Sequence, residues 1–156
     1  MSTPQPASPH TRILLVEEDE TTRLFLEVNL SADGYRVHAA ADRDQALARL
    51  RTASVDLILV DVNGQTLGLI DWVRGADPAL CAVACDTPVI VLTSHPDEVH
   101  RVRLLERGGD DVVAKPFSYP ELCAPGSMRC CAAPRRASLG RCSSPGRCAW
   151  TLTTAR

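Results

Sequence analysis

Short apolar runs alternate along this chain with amphipathic stretches. "RILLV" at residues 12–16 is continuously apolar after its first position, as expected of a strand buried on both faces. It stops at "EEDE", and residues 21–30 then follow helical spacing, with Leu24, Phe25 and Val28 together on one face. "DGY" turns the chain into a second short strand, "YRVHAA". In "ADRDQALARLRTA", Asp42 and Gln45 have the spacing of a capping box, and Ala46, Leu47 and Leu50 form an apolar stripe. "DLILVD" predicts a third strand, residues 67–74 a weaker helix, and "PVIVLTS" a fourth strand. Residues 96–107 predict a fourth helix with Val99, Val102 and Leu105 facing inward, before a fifth strand in "DDVVAK". Five alternations of this kind predict an α/β fold, a doubly wound five-stranded parallel sheet.

The 156 residues suffice for one domain with a sizeable core, and 45% apolar with 23% charged residues is the balance of a soluble globular protein. The net charge of −2 hides a split. Residues 123–156 carry six arginines and no acid, which leaves residues 1–122 with eleven basic against nineteen acidic side chains, a net of −8. Direct nucleic-acid binding by the acidic part is therefore not expected. "MSTPQPASPHTR" lacks the apolar region of a signal peptide, and no run approaches the roughly 18 apolar residues of a membrane span. Five of the seven cysteines fall at or after Cys123 without zinc-site spacing, so a cytoplasmic protein with reduced thiols is expected.

In such a sheet, ligands sit beyond the carboxyl ends of the strands. Strand one delivers Glu17 and Glu18 there, strand three Asp61, strand four Thr93 and Ser94, and strand five Lys115; strand two delivers only alanines. Three carboxylates converging on one crevice repel one another unless a cation lies among them, and Mg²⁺ suits one or two carboxylates with waters and a phosphate oxygen. A carboxylate so placed and faced by a lysine is a nucleophile toward phosphorus, with the lysine and a hydroxyl neutralising phosphoryl oxygens. The chemistry suggested is phosphoryl transfer onto Asp61. Each residue alone has a bland alternative: solvated loop acids, a Thr-Ser helix cap, an exposed lysine. The coincidence of four strand ends favours the chemical reading.

"ILLVEED", "DLILVD", "PVIVLTS" and "HRVRLLERGGDDVVAKPFS", in this order, resemble the receiver domain of two-component response regulators, particularly the branch with a C-terminal winged-helix output domain. The resemblance covers residues 12–122. It implies that Asp61 is the phospho-acceptor, that Thr93 and Lys115 hold the phosphoryl group, and that Mg²⁺ is bound by Glu18 directly, by Glu17 through water, by Asp61 and by the Asn63 carbonyl. It further implies that Asn63 and His95 modulate phosphate lifetime, that Lys115 and Pro116 form an often-cis bond, and that a sensor histidine kinase is the phospho-donor. Dimerisation through helix four, strand five and helix five is implied too, with Arg101 and Glu121 matching one ion pair and Asp111 half of another, whose arginine falls at Pro125.

Several positions depart from the family. Glu18 stands where aspartate is usual, which predicts weaker metal binding. "DVNGQTLGL" lacks the family's proline and second aspartate after the acceptor, and Val112 replaces its switch aromatic. "LCAVACD" is a longer, more apolar approach to strand four than usual. "FSYPEL" begins the fifth helix, but Pro125 and Gly126 predict its truncation. The expected organisation is a flexible segment 1–11, a receiver domain 12–122 and a disordered basic Cys/Pro/Arg-rich tail 123–156, without an output domain. The tail resembles GC-rich coding sequence read out of frame; a genuine basic tail contacting an acidic partner is the rival reading. Two other functions compete with the phospho-accepting receiver. One is a non-phosphorylated pseudo-receiver serving as a binding module. The other is a haloacid-dehalogenase-like phosphatase, disfavoured because Asn63 stands where that chemistry needs an acid.

Overall fold

A computed structural model describes residues 11–63, 66–76, 83, 85–95 and 97–123. The elements run β1 (Arg12–Val16), α1 (Glu20–Ala32), β2 (Arg36–Ala40), α2 (Arg43–Thr52), β3 (Leu57–Asp61), α3 (Leu67–Arg74), β4 (Val89–Thr93), α4 (Glu98–Glu106), β5 (Asp111–Ala114) and α5 (Tyr119–Leu122). All strand pairs are parallel, in the order β2-β1-β3-β4-β5. The predicted doubly wound sheet is thus present.

Successive strand residues point to opposite faces, and the sheet separates two cores accordingly. Leu14, Val16, Ile58, Val60 and Val91 pack with Ala46, Leu50, Leu69, Ile70 and Val73 of α2 and α3. Ile13, Leu15, Leu57, Leu59, Ile90 and Leu92 pack on the other face with Leu26, Leu30 and Leu122. Full burial of each such leucine or isoleucine contributes about 2 kcal/mol relative to exposure.

On two helices the apolar row read from the sequence is not the buried one. In α1, Leu24, Phe25 and Val28 are 50%, 47% and 66% exposed, and the inward row is Leu26 and Leu30, four residues apart. In α4 the buried side chain is Leu104, while Val99, Val102 and Leu105 face out. That helix also starts at Glu98, because the Asp97 carboxylate accepts from His100 N and caps it there.

Local signals otherwise build what they predict. The Asp19 side chain accepts from Thr22 N at 2.8 Å and starts α1. The helix ends in a Schellman motif, with Tyr35 N donating to Leu30 O and Gly34 N to Ser31 O. Gly34 holds φ of +94° there, a conformation that other residues rarely adopt. At α2, Asp42 accepts from Gln45 N, but the Gln45 side chain accepts from Ala41 N, one residue outside a true capping box.

The box at α5 is complete: Ser118 and Glu121 satisfy each other's backbone N–H groups. The Tyr119 hydroxyl donates to the Asp33 carboxylate, and its ring meets Phe25 edge-on at 6.5 Å. Burial and the Asp33 bond raise the phenol far above its ordinary pKa. The Lys115–Pro116 bond is cis. Thr11, expected in a flexible segment, belongs to the fold: it is buried and its carbonyl accepts from Arg36 N. Residues 1–10, the predicted helix break at Pro125 and Gly126, and the tail beyond Cys123 lie outside the described residues. Among the described residues, no helix is long and apolar enough to cross a membrane.

Candidate functional site

The carboxyl ends of β1, β3 and β5 bring three sequence-predicted residues into contact. Glu17 follows β1 directly; its N–H donates to Ala40 O, which draws the side chain under the sheet edge, where it is 1% exposed. Asp61 closes β3. Lys115 follows β5, anchored by its N–H to Thr93 O at 2.7 Å. The Lys115 Nζ lies 2.7 Å from Glu17 Oε2 and 3.0 Å from Asp61 Oδ1, bridging both carboxylates. Burial pushes the Glu17 carboxyl above its ordinary value, against the lowering pull of hydrogen bonds from Lys115 and Asp19 N. Burial opposes the Lys115 charge, yet its bonds to Glu17 and Asp61 outweigh that and hold the ammonium above the ordinary lysine value.

Glu18 and Asn63 meet at the rim. Asn63 Nδ2 donates to Glu18 Oε2 at 3.0 Å, linking the loops after β1 and β3. The main-chain carbonyl of Asn63 accepts from Leu67 N at 3.3 Å. Thr93 is fully buried and turned toward its own loop: its hydroxyl accepts from His95 N at 3.0 Å and reaches His95 O at 3.4 Å. His95 is exposed, its ring edge-on to His100 at 6.1 Å. Of the expected dimer residues, Arg101 is exposed on α4, Asp111 accepts from Val112 N, and Glu121 is engaged in the α5 capping box.

Two residues that shape the site gave no chemical signal in the sequence. Arg23 Nη1 donates to the carbonyls of Glu17 and Glu18, holding the acidic turn from the helix above it. Thr66 precedes α3, where threonine reads as a cap, but its hydroxyl makes no capping bond. It donates to Asp61 O at 2.6 Å and accepts from Asn63 N at 2.9 Å.

Among the described residues, no three His, Cys, Asp or Glu side chains gather into a group that would hold a metal ion. The available donors are nonetheless all oxygens: Glu17, Glu18, Asp61 and the Asn63 carbonyl. Mg²⁺ keeps several waters and takes only one or two carboxylates, so this donor set fits it without a protein cage. Beside Lys115 a cleft of about 550 Å³ opens between Thr21 and Phe25 of α1 and Ser94, Pro116 and Phe117. The arrangement is a carboxylate at a strand end, a neutralising ammonium and room for an approaching group.

The model of the response regulator receiver domain matches residues 13–125. The chain belongs to that family. This receiver is 39% identical over 117 residues to the transcriptional regulatory protein GltR of Pseudomonas aeruginosa, covering 72% of this chain and 46% of the relative. It is 40% identical over 113 residues to CpxR of Klebsiella pneumoniae, with 72% and 46% covered. The chain spans about half the length of these curated relatives, which are OmpR/PhoB-family response regulators, proteins that are generally not enzymes. Among solved structures, the non-phosphorylated HemR receiver domain from Leptospira biflexa superposes with a TM-score of 0.66 at 27% identity, over 81% of this chain and 97% of that one. A response regulator from Thermotoga maritima gives 0.62 at 30% identity, over 72% and 91%. Receiver domains of this family generally bind Mg²⁺ at the phosphorylation site and are phosphorylated by sensor histidine kinases.

Proposed function

We propose that this receiver accepts a phosphoryl group on Asp61 from the phosphohistidine of a sensor kinase in the cytoplasm. The observation that carries this reading is the Lys115 ammonium lying between Glu17 and Asp61. An Asp61 carboxylate oxygen attacks phosphorus, and the P–N bond to the donor breaks. The electron pair leaves with the imidazole nitrogen, and the acyl phosphate stays on Asp61. Lys115 is already at the acceptor oxygen and neutralises charge on the phosphoryl oxygens. The Thr93 hydroxyl turns from His95 O to donate to one of them. Glu17, Glu18, Asp61 and the Asn63 carbonyl would hold Mg²⁺, which when bound screens the negative charge between nucleophile and phosphoryl group. The cleft beside Lys115 gives the donor access. Asn63 and His95 line the approach of hydrolytic water and set phosphate lifetime. The outward row of Val99, Val102 and Leu105, with Arg101, supports a weak dimer through the α4–β5–α5 face.

Intact-mass measurement after incubation with phosphoramidate and Mg²⁺ tests the reading. One added phosphoryl group is expected on the wild-type chain and none on Asp61→Asn. A folded wild-type protein that takes up no phosphoryl group would overturn it in favour of a non-phosphorylated binding module.

A further inference from the structure

We propose that Thr66 is a positioning residue for Asp61, its hydroxyl fixing the main chain between the acceptor and Asn63. The inference rests on Asp61 being the phosphoryl acceptor. Thr66 is 4% exposed, and every bond that engages its hydroxyl, including longer contacts to Asn63 O at 3.5 Å and Asn63 Oδ1 at 3.3 Å, closes on Asp61 or Asn63 at the exit of β3. A threonine at the start of a helix ordinarily turns its oxygen onto the helix's own first N–H groups. Here the oxygen points backward instead. It donates to Asp61 O at 2.6 Å and accepts from Asn63 N at 2.9 Å. The Thr66 backbone N–H meanwhile donates to Asn63 Oδ1 at 3.1 Å.

One residue thereby fixes the Asp61 carbonyl, the Asn63 backbone and the Asn63 amide, and the opposite end of that amide reaches Glu18. The acceptor sits on the last residue of β3, and the last bond to β4 on this side runs from Val62 N to Leu92 O at 2.9 Å, so beyond Val62 the sheet no longer holds the loop. The Thr66 hydroxyl supplies the constraint, and an isosteric valine removes it without changing side-chain volume. A nucleophile held less firmly reacts more slowly, by on the order of tenfold to a hundredfold.

Three proteins decide the matter: wild type, Thr66→Val and Thr66→Ser. Phosphoramidate labelling should show Thr66→Val reacting on the order of ten- to a hundredfold more slowly, with an unchanged fraction of chains reacting. A fold defect would instead reduce that fraction. Hydrogen exchange at the Asn63 backbone N–H should be protected in wild type, fast in Thr66→Val and protected again in Thr66→Ser, which should also recover the rate. The inference is overturned if Thr66→Val is phosphorylated on Asp61 at the wild-type rate, or if serine fails to rescue. It is equally overturned if the wild-type Asn63 backbone N–H exchanges freely, a measurement that needs no variant to fold. Failure of the acceptor assignment looks different: wild type takes up no phosphoryl group, or Asp61→Asn still does.

Discussion

Lys115 carries two acids at once, one of them almost fully buried. Replacing it by methionine strands the Glu17 carboxylate beneath the sheet edge without a counter-charge, at a cost of about 3 kcal/mol at neutral pH in denaturant unfolding. The pH dependence should change with it. Burial raises the Glu17 pKa above 4.5, so folding favours the protonated form and the ionised form costs stability once the pH passes the raised value. In Lys115→Met that cost is uncompensated, and stability should climb as the pH falls from neutrality through the raised Glu17 value toward 4.5. In the wild type, the lysine's own contribution is complete below 10.5 and disappears as the pH rises through its raised value. A Lys115→Met protein with an acid limb no steeper than wild type would show that the bridge does not govern Glu17. Glu17, Asp61 and Lys115 were legible because a strand's end fixes where the next residue points. Thr66 and Arg23 were not, since a threonine before a helix and an arginine within one carry no chemistry until the loops are folded.

At the level of elements, β1, β3 and β4 were readable because burial on both faces demands unbroken apolar runs. The apolar stripe read on α1 is not its buried row, and the row expected inward on α4 faces out, for a physical reason. Leu24, Phe25, Leu26, Val28 and Leu30 supply two apolar rows on one helix, and periodicity cannot choose between them. The choice is set by the Asp19 cap and the Schellman exit at Gly34, which turn Leu26 and Leu30 onto Ile13 and Leu15. Leu26→Ala should therefore cost about 2–5 kcal/mol, and Val28→Ala within about 0.5 kcal/mol. Urea titrations of the two proteins distinguish the faces directly. The same contrast is expected between Leu104→Ala and Val99→Ala on α4.

Across the whole molecule, stability and chemistry sit at opposite edges of the sheet. Below β4 and β5, Arg74 at the end of α3 donates to the carbonyls of Cys85, Thr87 and Gly108 and pairs with Asp110, which itself accepts from Val89 N. Arg74→Met deprives this cluster of its donor and should cost about 2–3 kcal/mol. The phosphorylation rate of the folded protein should stay unchanged, as melting curves and labelling kinetics run side by side would check. Above the sheet, the Thr93 hydroxyl has one proton and two neighbours. Its oxygen is held by His95 N–H, while the proton rests on a long 3.4 Å contact that is easily given up. A newcomer at the strand end that captures this proton is thereby tethered to the backbone leading into α4. News of its arrival can travel along that tether, with no ring at Val112 needed to carry the message.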